Sequence, residues 1–142
     1  MRGLLDVNVL VALFDADHPS HGAAHAWLAG SGAAGWASCP LTQNGMLRIM
    51  SQPAYPNPAP LADLMQRLGE AVVHPAHRFW ADDISLLDAD RFDSSLALTH
   101  RQLTDVYLLA LAVKNKGRFV TFDGGIALSA VRGATARHLV VL

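Results

Sequence analysis

The 142-residue sequence has a single cysteine, Cys39, so no disulfide can form within the chain and a small secreted scaffold stapled by disulfides is excluded. Charged residues are scarce at 16% while hydrophobic ones reach 51%, which excludes an extended, disordered chain. Positive charge is not in surplus: 11 Lys and Arg, mostly scattered arginines, face 12 Asp and Glu. Any nucleic acid would therefore be held by local groups, because no net field attracts phosphate. No apolar run approaches the roughly 20 residues of a membrane span. The apolar opening MRGLLDVNVLVALFDAD is interrupted by Asp6 and Asn8 and lacks the pattern of a cleaved leader. The glycine-rich GSGAAG has no lysine to make it a phosphate loop and reads as a turn. These absences leave a cytoplasmic, soluble chain, expected to fold as one domain over residues 1–142 with Cys39 as a small buried apolar residue.

What is present alternates between short apolar runs and helical periods. Leu4 and Leu5 read as a buried strand ending near Asp6, followed by a helix from Asn8 to Ala16. His21 to Leu28 is a second helix, closed by Gly30 to Gly32; Gly35 to Cys39 is a strand, and Pro40 opens a helix to Met50. The tract SQPAYPNPAP at 51–60 holds four of the seven prolines and must be an irregular surface loop. Leu61, Leu64, Met65 and Leu68 share one face of a helix over Leu61 to Glu70. Arg78 to Trp80 is a strand leading into ADDISLLDAD. Thr104 caps a helix over DVYLLALAVKNKG, RFVTFD is a strand ending at Asp123, Gly124 and Gly125 lead into a short helix to Val131, and HLVVL is a last strand. Such alternation implies a parallel sheet covered by helices on both faces.

Three carboxylates fall at comparable places in this pattern. Asp6 and Asp123 follow apolar strands and Asp105 opens a helix. In open parallel sheets, residues beyond the carboxyl ends of the strands converge on one crevice. Converging carboxylates repel one another unless a cation neutralises them, and oxygen-only ligands select a hard ion, Mg²⁺ or Mn²⁺. Such ions serve phosphodiester hydrolysis. Taken singly, each aspartate could equally cap a helix or shape a turn.

The segments LLDVNVLVALFDADHPSH, GWASCPLTQNGMLRIMSQPAY, HRFWADDISLLD, HRQLTDVYLLALA and RFVTFDGGI, taken together and in order, resemble the PIN-domain ribonucleases of the VapC toxin type. The resemblance implies a three-layer α/β/α sandwich around a mainly parallel sheet. It implies a Mg²⁺-dependent endoribonuclease, the toxin of a toxin–antitoxin pair, that hydrolyses RNA, often structured or transfer RNA, by metal-activated water. It further implies a homodimer inhibited by a small antitoxin protein. By position, Asp6, Asp105 and Asp123 match the family's catalytic and metal-binding acids. One departure stands out: the family usually carries a glutamate on the helix after the second strand, where this chain has LTQNGMLRIM and Gln43 lies nearest. A glutamine brings no charge, so one tightly held ion is expected, with a second recruited by substrate phosphate.

Asn8 could orient a metal-bound water or the neighbouring carboxylate, or meet the substrate, with an ordinary first-turn helix residue as the alternative. Gln43, Arg48, His100 and Arg101 are candidates for substrate contact, with solvated surface groups as the alternative for the cations. Within the acidic tract of Asp82, Asp83, Asp88 and Asp90, Asp83 is the reserve metal ligand. His18, His21 and His25 lack the further ligands of a structural zinc site. Trp27, Trp36 and Trp80 are core or interface material rather than base-stacking platforms. The helix HPSHGAAHAWLAG is a candidate wall for the antitoxin groove. Two alternative functions stay open: a catalytically weak RNA- or partner-binding module of the same fold, and a phosphatase of the haloacid-dehalogenase kind. The latter needs a second aspartate where Asn8 stands.

Overall fold

A computed structural model describes residues 1–96 and 98–142. Ten regular elements follow one another: β1 Gly3–Leu5, α1 Val7–Phe14, α2 His21–Gly30, β2 Trp36–Ser38, α3 Pro40–Met50, α4 Leu61–Val72, β3 His77–Phe79, α5 Leu103–Lys114, β4 Arg118–Thr121 and β5 Leu139–Val141. The strands form one sheet in the order β3-β2-β1-β4-β5, and every pairing is parallel.

Period-two alternation along the strands builds two apolar layers. Leu4, Ala37 and Phe119 face one side, where Val106, Leu109 and Ala112 of α5 pack on them. Leu5, Trp36 and Val120 face the other, against Val9 of α1, Met46 of α3 and Leu64 of α4. Both faces are thus covered, which is the expected α/β/α sandwich. Phe119, fully buried, illustrates the scale, since an aromatic of this kind gains roughly 2 to 3 kcal/mol on leaving water. On the second face α1 and α3 approach closely because Gly45 has no side chain: a Cβ there would lie 2.6 Å from Val7 Cγ2.

The strand order reverses at β1, whose neighbours β2 and β4 lie on opposite sides. The crevice between the carboxyl ends of β1 and β4 is the switch point where ligands bind in such sheets. Asp6 follows β1 and Asp123 follows β4 closely.

The proline tract 51–60 is irregular, as its composition requires, yet it is anchored. Asp15, only 5% exposed at the end of α1, accepts hydrogen bonds from Tyr55 Oη (2.5 Å), Asn57 Nδ2 (2.9 Å) and the Asp17 amide (3.0 Å). These donors hold the Asp15 carboxyl below its ordinary range, Tyr55 contributing most.

The expected helix is present as α4, and its apolar stripe is wider than the surface that covers it: Leu64 and Leu68 are buried, while Leu61 and Met65 stand 49% and 55% exposed. Two expectations need correction. The helix expected from Gly124 to Val131 is a single 3₁₀ turn, Leu128–Ala130, because Val131 is taken by an antiparallel bridge to Phe92. Thr104 is not the cap of α5. The helix starts at Leu103 with Gln102 as its cap residue, and the Gln102 side chain turns back to accept from the Thr99 amide (2.8 Å). Thr104 instead lines a cavity of about 240 Å³ with Leu41, Asp82, Leu103 and Tyr107. Among the described residues no helix is long and apolar enough to cross a membrane.

Candidate active site

Asp6 occupies the turn between β1 and α1 with extended backbone (φ −63°, ψ 158°), the conformation of a helix cap. Its Oδ1 accepts the Val7 amide (2.7 Å) and its Oδ2 accepts the Thr121 hydroxyl (2.6 Å). The capping role and the convergent role weighed for Asp6 are therefore both met by one buried side chain, 6% exposed.

Thr121, the last residue of β4 and fully buried, is the hinge of the arrangement. While donating to Asp6, its Oγ1 accepts from the Asp123 amide (3.1 Å) and from Asn8 Nδ2 (3.3 Å). Asn8 Nδ2 also reaches Asp123 Oδ2 (3.3 Å), and Asn8 Oδ1 accepts the Phe122 amide (3.4 Å). Asn8 thus orients a neighbouring carboxylate, one of the roles considered for it. Thr121 was missed by sequence reasoning. The only available signal was a hydroxyl-bearing β-branched residue at the end of a buried strand, two places before Asp123.

Asp105, half-buried in the first turn of α5, completes the group. One carboxylate oxygen from each of Asp6, Asp105 and Asp123 lies within 4.8 Å of the others. Burial pushes the Asp6 carboxyl up to about 6, the charges of Asp105 and Asp123 add to the rise, and the hydrogen bonds from Thr121 and Val7 oppose it. The Asp105 carboxyl is also raised, by burial first and by Asp123 second. Among the described residues no Lys, Arg or His pairs with any of the three, the ion pairs being Arg91–Asp88 and Lys114–Asp83.

This charge without a protein counter-ion is the test of fit for a metal. The three oxygens lie near enough to one another for a single divalent ion to be shared among them once the side chains draw in. The donor set is all oxygen and anionic, which suits a hard divalent cation. Among the described residues no other group of three His, Cys, Asp or Glu comes together in this way.

The remaining candidates are placed elsewhere. Asp83 pairs with Lys114, Asp88 with Arg91, and Asp82 Oδ2 accepts the Leu41 amide (2.9 Å) at the start of α3. Gln43 donates its amide nitrogen to Ser38 Oγ (2.9 Å). Arg48 is exposed in the last turn of α3, about 12 Å along the helix from Pro40, which follows the carboxyl end of β2. His100 and Arg101 are exposed just ahead of α5, at the same end as Asp105. His21 and His25 stack with ring centres 4.3 Å apart, but His21 Nδ1 is bonded to the Ala12 carbonyl and His18 Nδ1 to the Ser20 amide. Trp36 is buried and Trp27 and Trp80 pack against the core. The end of α2, with Leu28 and Ala29, walls a cavity of about 680 Å³ that also touches Phe14, Trp36, Arg67 and His74.

Comparison with known proteins gives a consistent picture. The PIN domain family model matches residues 3–132. The chain is 52% identical over 142 residues to Ribonuclease VapC44 of Mycobacterium tuberculosis, with all of both chains covered. Two solved structures share the fold. One is Mycobacterium tuberculosis VapC20, a Sarcin-Ricin loop cleaving toxin, with a TM-score of 0.62, 13% identity, and 94% of this chain and 96% of that one covered. The other is Rickettsia felis VapBC2 bound to a DNA fragment from their promoter, with a TM-score of 0.53, 12% identity, and 87% and 89% covered.

Proposed function

The chain belongs to the PIN-domain family, among its VapC members, and from that premise we propose that it is a Mg²⁺-dependent endoribonuclease, the toxin of a toxin–antitoxin pair. The observation that carries the reading is the meeting of Asp6, Asp105 and Asp123, from three separate elements, with no protein cation to neutralise them.

Asp6, Asp105 and Asp123 would hold the ion, Mg²⁺ or Mn²⁺. Bound there, a divalent cation supplies a Lewis acid for the phosphodiester and lowers the pKa of a water. The protein's own contribution is to fix the three carboxylates. Thr121 locks Asp6, Asn8 locks Asp123, and the α5 backbone fixes Asp105. Such supporting hydrogen bonds set ligand orientation and basicity. The N-termini of α1 and α5 lie at Asp6 and Asp105, and their dipoles favour the ionised carboxylates in part.

RNA phosphates would be met by Arg101 and His100 beside α5, with Asn8 and Gln43 at the floor of the crevice and Arg48 on a more distant contact. The substrate class is RNA, in structured or transfer form. The antitoxin is assigned to the surface walled by α2, in the cytoplasm, with two copies of this chain forming a homodimer.

The test is Asp6→Asn, assayed for RNA cleavage in vitro and for growth arrest on expression. Loss of both together supports the reading, and persistent cleavage overturns it. A second reading, a catalytically weak RNA- or partner-binding module, is favoured by the neutral Gln43 and the net charge of −1. It predicts RNA binding without Mg²⁺-dependent cleavage in the unaltered protein.

A further inference from the structure

At the carboxyl end of β2, next to β1, lies a polar chain whose buried members, Ser38 and His77, the proposed reaction does not use. Ser38 is fully buried and His77 is 6% exposed. Ser38 Oγ stands 2.8 Å from His77 Nε2, Gln43 Nε2 stands 2.9 Å from Ser38 Oγ, and His77 Nδ1 stands 2.9 Å from the Val72 carbonyl.

With His77 neutral, hydrogen counting fixes the direction of every bond. A carbonyl only accepts, so the proton on Nδ1 of His77 points at Val72. In the neutral imidazole Nε2 is then an acceptor, and the single hydroxyl hydrogen of Ser38 must go to it. The Ser38 oxygen is left to accept, which requires a donor on residue 43. An amide NH₂ is a donor; a carboxylate is not.

A carboxylate at 43 could be satisfied only by reversing the chain. Ser38 would donate to it, and His77 would have to carry a second proton on Nε2. The surroundings of His77 oppose that. The ring is buried, it lies tilted against Trp36 with ring centres 4.4 Å apart, and the nearby charges are the cations Arg2 and Arg78; only the Val72 carbonyl, facing it from α4, favours the protonated ring. Burial is the largest effect and, with the two arginines, outweighs the Val72 hydrogen bond, so the His77 pKa lies below its ordinary value.

We propose that Gln43 is a positioning residue, held as an amide by Ser38 and a neutral His77, and that this chain excludes a glutamate from the position. The acid centre would then carry three negative charges by construction, and Gln43 would fix the first turn of α3 over the end of β2. The link to the metal centre rests on the nuclease reading. The hydrogen-bond chain does not, and its test needs neither metal nor RNA.

The experiment is ¹⁵N NMR titration of His77 in the metal-free, full-length protein and in Gln43→Glu, with thermal unfolding of both and of the double variant Gln43→Glu with His77→Gln. In the unaltered protein His77 is expected as the neutral tautomer protonated at Nδ1, with a pKa below that of a free histidine. In Gln43→Glu its proton affinity is expected to rise at least tenfold. A glutamine side chain in place of the imidazole is itself a donor to Ser38, so the double variant should regain part of any Tm lost by Gln43→Glu alone. A proton on Nε2 in the neutral unaltered protein, a His77 titration indifferent to Gln43→Glu, or no recovery in the double variant would each overturn the proposal. Failure of RNA cleavage in the unaltered protein would overturn the nuclease reading and leave these signals unchanged.

Discussion

Replacing Asp6 with asparagine is expected to make the cation-free protein more stable near neutral pH. The Asp6 carboxyl is raised from 3.8 to about 6, chiefly by burial. Because the folded form is the weaker acid, its favourable contribution is complete below 3.8 and is lost as pH climbs to about 6. The displacement corresponds to roughly 3 kcal/mol of destabilisation by the ionised group above that range. The substituted amide would carry no charge, but its one carbonyl oxygen cannot serve both the Val7 amide and the Thr121 hydroxyl as the two carboxylate oxygens do. Losing one such bond costs about 1 kcal/mol, leaving a net gain of roughly 1 to 2 kcal/mol. For a domain of this size that is a rise in Tm of roughly 3 to 6 °C. The assay is thermal unfolding in chelator near pH 7.5 and again near pH 4, where the gain should vanish or reverse. Millimolar Mg²⁺ should raise the Tm of the unaltered protein and leave Asp6→Asn nearly unmoved. A variant that melts below the unaltered protein in chelator at the higher pH, or that gains as much from Mg²⁺, would refute the reasoning.

Asn8→Ala removes the donor to Asp123 and Thr121 and should lower Mg²⁺ affinity about ten- to a hundredfold by calorimetric titration, with the fold intact by circular dichroism. Asp15→Ala strips three donors of a buried acceptor and should cost roughly 2 to 4 kcal/mol in urea unfolding at neutral pH. Because the folded Asp15 carboxyl is the stronger acid, the difference should shrink as pH falls through the carboxylate range. Gly45→Ala forces α1 and α3 apart at Val7 and should lower stability by about 1 to 3 kcal/mol in the same assay. Asp83→Ala breaks an ion pair with Lys114 that lies outside the acid centre, so cleavage rate and Tm should both stay at the unaltered values.

Local chemistry made much of this molecule legible. The alternation of apolar runs and helical periods indicated the parallel sheet with helices on both faces, and the places of Asp6 and Asp123 after strands located the crevice. Pro40 and Met50 bound α3 as its composition indicates. Readings failed where the partner lies far along the chain. The acceptor of Gln43 is Ser38, whose hydroxyl is engaged by His77, 39 residues away. Tyr55 reaches Asp15 across 40 residues. No period or spacing encodes such contacts. Thr104 misled because a threonine before an acidic residue is a good cap in isolation, whereas the helix here starts two residues earlier and Gln102 is engaged with Thr99. The helix after Gly125 failed for a tertiary reason, the competing bridge between Val131 and Phe92.

Anomalous diffraction from crystals grown with Mn²⁺ would test the convergence of the three aspartates most directly. A single strong peak is predicted, bonded to oxygens of Asp6, Asp105 and Asp123 at distances close to the roughly 2.1 Å of a magnesium–oxygen contact. A peak coordinated by Asp82, Asp83 or the histidines instead, or by only one of the three aspartates, would contradict the account.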